Sequence, residues 1–156
     1  MNPKIKITFQ FILSHLLAYL FVSIPYFQLV MKGYYEGESA VFPLFLLTSN
    51  DGAAWTRAMT WLLPALVFQA ILMVSFLHLI WDWFQVQTFG KQMFALVWMR
   101  TVLGGLAAIS PAVGSLEGMV FMISEISFSI HLYVLFEIFL LSLVQAGIFL
   151  WFVKRF

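Results

Sequence analysis

Residues 7–31, 58–81 and 128–153 form three long apolar stretches whose only charged side chain is Glu137. Each exceeds the ~20 residues that an α-helix needs to cross a bilayer. In hydrocarbon the backbone must satisfy its own donors and acceptors, which a single apolar segment achieves as a helix. The expected fold is therefore an all-α integral membrane protein, one transmembrane domain over residues 1–156. Composition agrees. The chain is 63% apolar and 10% charged, against about 25% charged in soluble domains.

A fourth stretch, 93–122, is apolar but irregular. A continuous helix from 93 to 124 would measure about 48 Å, against a hydrocarbon core of ~30 Å. It contains Arg100, Gly104, Gly105, Pro111, Gly114 and Glu117. Proline removes a backbone donor and crowds the preceding turn, so a kink or break is expected near Ser110 and Pro111. Either the span covers 93–113 with an interfacial helix behind it, or it runs from Arg100 through Met122. With this stretch the expectation becomes a four-helix transmembrane bundle.

Charge placement orients it. Lys4 and Lys6 precede the first span, Lys91 lies between the second and third with Arg100 nearby, and Lys154 and Arg155 follow the fourth. The other connections carry Lys32 and Arg57 at helix ends and otherwise Glu36, Glu38, Asp51, Glu117 and Glu125. The positive-inside rule then places both termini in the cytoplasm. Tyr34, Tyr35 and Trp55 would mark the outer border, and Trp81, Trp83 and Trp151 the inner one. The expected location is a bacterial inner membrane. Lys4 and Lys6 ahead of an apolar run resemble a signal peptide. The run reaches Met31, too long for an h-region, and no small-residue cleavage site follows, so a retained first helix is expected.

The connection 32–56 is the longest outer one. Its AVFPLFLL, residues 40–47, is apolar yet too short to span. It is expected to lie in the interface or dip back against the helices. The following TSNDG supplies turn and N-cap residues for the second span.

Several chemistries are excluded. Without cysteine there is no disulfide, thiolate nucleophile or sulfur-ligated metal. A net charge of +1 without a basic patch gives no nucleic-acid partner. No P-loop, GxGxxG, HExxH or GxSxG is present, so a non-enzymatic protein is expected.

Glu137 is the leading candidate for function. A carboxylate in a membrane span faces the bundle interior or a wet cavity by default. Tyr133, at i−4, and Gln145, two turns on, extend a polar stripe. The stripe can hold helices together through hydrogen bonds, or handle ions or protons. Glu117 joins it if the third span begins near Arg100. In the other frame Glu117 is solvated in the outer connection.

A second constellation is expected in the inner leaflet: His15, His78, Asp82 and Arg100. His78 and Asp82 are spaced i, i+4, with Ser75 on the same face. His15, Tyr19 and Ser23 form a further i, i+4, i+8 stripe. The structural reading is hydrogen bonding within the bundle, with Arg100 snorkelling at the inner boundary. The sharper reading is two histidines ligating a haem b, or a metal held with Asp82. His131 reads as an interfacial histidine. Gly104 with Ala108, and Gly114 with Gly118, have the small-xxx-small spacing that lets helices approach closely.

Four helices enclose little space. The expected function is a non-enzymatic membrane subunit that lies in the lipid bilayer and packs with other membrane-protein subunits, or with itself as a homo-oligomer. A small oligomeric transporter or proton-linked channel using Glu137 is the alternative. A haem-bearing redox protein using His15 and His78 is the second alternative.

Overall fold

A computed structural model describes residues 2–38, 40–107 and 112–155, the side chain of Leu103 excepted. The described residues form helices and turns without a strand. Helix α1 spans Pro3–Tyr35 and α2 Ala53–Leu79. The short α3, Trp81–Gln85, follows at once. Helix α4 begins as Phe89–Trp98 and continues in wider π turns over Met99–Leu106. The short α5 covers Leu116–Phe121, and α6 covers Phe128–Arg155.

Three of these, α1, α2 and α6, are long and apolar enough to cross a membrane. The stretch expected as a third span is divided. Helix α4 closes at Leu106, and the next helix starts only at Leu116. Lys91, Gln92 and Arg100 dilute the apolar character of α4. The expected break at Ser110 and Pro111 lies outside the described residues.

Helix α1 starts ahead of its apolar run, at a capped N-terminus. The Asn2 side chain accepts from the Lys4 backbone N–H at 2.9 Å, and Pro3 occupies a first-turn position where no N–H is needed. Ahead of α2, Thr48 and Asp51 close a reciprocal capping box, with the Thr48 N–H donating to Asp51 at 2.6 Å. It caps a 3₁₀ turn at Ser49–Asp51, and α2 starts after Gly52, whose φ of 55° favours glycine.

Pro25 shapes α1. It removes one backbone donor and crowds the carbonyl a turn earlier, and π turns at Tyr19–Ser23 and Phe27–Met31 flank it. The extra residue in a π turn rotates the buried face. That face passes from Ile7, Phe11, Ser14 and Ala18 to Ser23 and Tyr26.

Helices α1 and α6 run antiparallel at the centre. Phe11 meets Phe149 edge-on, with ring centroids 5.1 Å apart. One turn on, His15 meets Gln145. Farther out, the Tyr26 hydroxyl donates to the Tyr133 carbonyl at 2.8 Å. Helix α2 packs on the N-terminal half of α1, and α4 packs on α6. Ala18, Ala70 and Ala146 are fully buried and admit close helix contact.

Two apolar clusters result. One, at the end of the bundle that holds the two chain termini, joins Phe11, Val74, Leu77, Phe84, Leu96 and Phe149. The other, at the opposite end, joins Tyr26, Met31, Phe42, Ile126 and Ile130. Phe42 shows how the 40–47 segment behaves. Phe42 itself folds back onto Tyr34 and Tyr35, while Leu44, Phe45, Leu46 and Leu47 stay exposed.

Candidate functional site

The polar side chains of the helices separate into an enclosed cluster and an open cleft. The enclosed cluster joins α1, α4 and α6. His15 is 0% exposed, Gln145 4% and Arg100 8%. Arg100 Nη1 donates to His15 Nδ1 at 2.8 Å and to Gln145 Oε1. Beside it the Thr101 hydroxyl donates to Ser142 at 3.1 Å, and Ser142 donates to the Ile138 carbonyl at 2.6 Å. Arg100 therefore does not snorkel to the boundary as expected. The π turns beginning at Met99 lie where Arg100 points into the interior, and two acceptors there make burial tolerable.

The expected inner-leaflet constellation is only partly assembled. His15 and Arg100 come together, and Gln145 joins them from the opposite stripe. His78 instead faces Thr8, with Nε2 3.0 Å from the hydroxyl. Asp82 is exposed. The i, i+4 relation between His78 and Asp82 is lost because Ile80 leaves helical geometry between α2 and α3. Ser75 turns back to its own Ile71 carbonyl. Among the described residues, no group of three His, Asp or Glu side chains is arranged to hold a metal. A haem between His15 and His78 would have to pull both rings from these partners, and the cavity beside the His15 cluster is only about 10 Å³.

The open cleft contains Glu137. Helix α2 buries Ala70, Val74 and Leu77, all in its C-terminal half, and no residue of 53–69 is buried. Its N-terminal half thus stands away from α1. Between them lies a cavity of about 770 Å³. Trp55, Ala58, Met59 and Leu62 of α2 form one wall, and Phe27, Met31 and Tyr35 of α1 the other. Its polar lining is Glu137 with Tyr19, Ser23 and Gln28, and Ser23 is within hydrogen-bonding reach of the Glu137 carboxyl. The stripe predicted on α6 is therefore divided between two places. Gln145 belongs to the enclosed cluster and Glu137 to the cleft. Tyr133 is exposed, its carbonyl accepting from Tyr26 and its ring lying beside that of Tyr34. Glu117 is exposed in the first turn of α5.

The glycines act locally. Gly114 has φ 88° and abuts Val134 and Leu135. A Cβ on Gly118 would lie 1.9 Å from the Ala112 carbonyl oxygen. Their spacing thus serves a tight turn before α5, and not the helix–helix contact that the pattern suggested. Gly104 faces Met73, and the adjacent Gly105 faces Ile138 across the α4–α6 contact. Ala108 lies outside the described residues. His131 is buried, and its Nδ1 accepts from the Gly114 N–H at 3.0 Å. It anchors that turn to α6, where an interfacial position was expected.

Compared with known proteins, the chain matches no protein family, no curated protein and no solved structure.

Proposed function

We propose that this protein is a non-enzymatic integral membrane subunit that packs a helix of another membrane chain into the cleft between α1 and α2. The finer architecture belongs to this reading: a four-helix bundle with both termini in the cytoplasm, in a bacterial inner membrane. The gathering of Lys4, Lys6, Lys91, Lys154 and Arg155 at one end of the helices supports that orientation.

The observation that carries the reading is the unpartnered outer half of α2 above a cleft with a polar lining. Lipid tails can cover Met59 and Leu62, but they offer nothing to Glu137, Tyr19, Ser23 and Gln28. A polar group in hydrocarbon without a hydrogen bond is costly, and polar side chains reaching across helices are a common membrane contact. A partner helix with small residues and hydrogen-bond donors meets both demands. A second hollow on α2, lined by Leu63, Pro64, Val67, Phe68 and Ile71, leaves the other side of the same half-helix open as well.

Site-specific photo-crosslinking tests this in the native membrane. A photoreactive residue at Met59, inside the cleft, is expected to give a discrete adduct of higher mass. The same residue at Phe94, on the exposed face of α4, is expected to give only lipid adducts. Equal labelling at both positions contradicts the reading.

One observation favours a second reading. Glu137 borders an open cavity instead of being sealed between helices, which suits proton or cation handling in a small oligomeric transporter or channel. Flux into vesicles that falls in Glu137→Gln while assembly persists would support it.

A further inference from the structure

The enclosed cluster has more donors than acceptors. Arginine only donates, so His15 Nδ1 accepts from Arg100, and the proton of the neutral ring sits on Nε2. Gln145 Oε1 accepts from the same Nη1, which orients the amide and leaves two donors on its Nε2. His15 Nε2 and Gln145 Nε2 are both buried without a hydrogen-bond partner among the described residues. The cluster also carries the Arg100 charge, and neither partner of Nη1 is a carboxylate. Glu137 is two turns from Gln145, about 12 Å along α6, while Asp82 and Glu117 are exposed.

Beside these donors lies a cavity of about 10 Å³. Arg100, Gln145 and Ser142 line it, with Phe11, Met73 and Met99 among its apolar walls. Ser142 already donates to Ile138, so the available donors are those of Arg100 and Gln145. His15 is not part of the lining. The volume is close to that of one water.

We propose that this cavity binds a single halide ion, chloride in the cell, as the buried counter-ion of Arg100. Water would satisfy the donors and leave the charge uncompensated, which is strongly unfavourable in such surroundings. An anion against a guanidinium gains far more among apolar walls than in water. A carboxylate ligand or phosphate ester is too large for the space. The flexible thioethers of Met73 and Met99 can yield to an ion slightly larger than water.

The test uses the full chain purified in detergent. Thermal unfolding is followed in sodium chloride, sodium bromide and sodium gluconate at equal ionic strength. The midpoint is expected to rise with chloride and bromide and to stay lower in gluconate. Gln145→Glu places a carboxylate of nearly the same shape against Arg100. It is expected to abolish the halide response and to be as stable in gluconate as the original protein in chloride. Arg100→Gln, which removes the charge, is expected to abolish the response too. Should Arg100→Gln fail to fold, Gln145→Glu still decides. Identical midpoints in all three salts would mean that water fills the cavity, and would overturn the proposal. A halide response undiminished in Gln145→Glu would overturn it equally.

Discussion

Arg100 and Gln145 meet across the α4–α6 contact, the guanidinium Nη1 donating to the amide Oε1 among apolar side chains. The same nitrogen also donates to His15 of α1, so one side chain ties three helices together. Removing it should be costly. Arg100→Leu removes the donor shared by His15 Nδ1 and Gln145 Oε1 and leaves them only the 3.3 Å contact with each other, at about 1–3 kcal/mol for each group. We expect a drop of roughly 2–6 kcal/mol in the unfolding free energy, read by titration from mild detergent into dodecyl sulfate. The double variant Arg100→Leu, Gln145→Leu should lose less than the two single losses combined, because the partners act as a unit. Strict additivity would show that the bond contributes nothing of its own.

Single hydrogen bonds between helices should matter much less. Tyr26→Phe removes the bond to the Tyr133 carbonyl, and Thr8→Val removes the contact with His78. Each is expected to cost about 0.6 kcal/mol, the average for such bonds in membranes. A loss comparable to that of Arg100→Leu in the same titration would refute the ranking.

Glycine substitutions should divide by position. Gly118→Ala drives a methyl group into the Ala112 carbonyl, and Gly114→Ala is strained by a φ of 88°. Both should lower the thermal midpoint, the second through a free-energy cost of at least ~1 kcal/mol for the left-handed backbone alone. Gly33 has open space around its Cβ position and no such backbone, so Gly33→Ala should match the original protein. Equal midpoints for all three would show that the turn before α5 adapts freely.

Glu137 should act on assembly through hydrogen bonding and not through charge. Glu137→Gln keeps donors and acceptors facing the cleft and should keep the Met59 adduct. Glu137→Leu should reduce its yield severalfold. Loss of the adduct in Glu137→Gln would mean that the partner recognises a carboxylate.

The long helices were legible because hydropathy over some twenty residues decides them, and no short-range signal competes. The region after Met93 was not, since apolarity there does not distinguish a spanning helix from a helix followed by a tight turn. Gly114 and Gly118 read as a packing motif because spacing alone does not reveal that Gly114 has a positive φ. The Glu137 stripe is legible in the sequence only as a list of polar positions. Its division between two sites depends on α2 leaving α1, which lies in tertiary packing. His131 looked interfacial, and only the backbone N–H of Gly114 explains its burial. Ser142, three residues before Gln145, was the available hint that the α6 stripe continued inward toward Arg100.

The most direct test of a partner in the cleft is native mass spectrometry of protein extracted gently from its own membrane. The expected result is a species whose mass is a multiple of 18.0 kDa plus that of another polypeptide, and its loss in Glu137→Leu. A bare 18.0 kDa monomer, unchanged by Glu137→Leu, would contradict it.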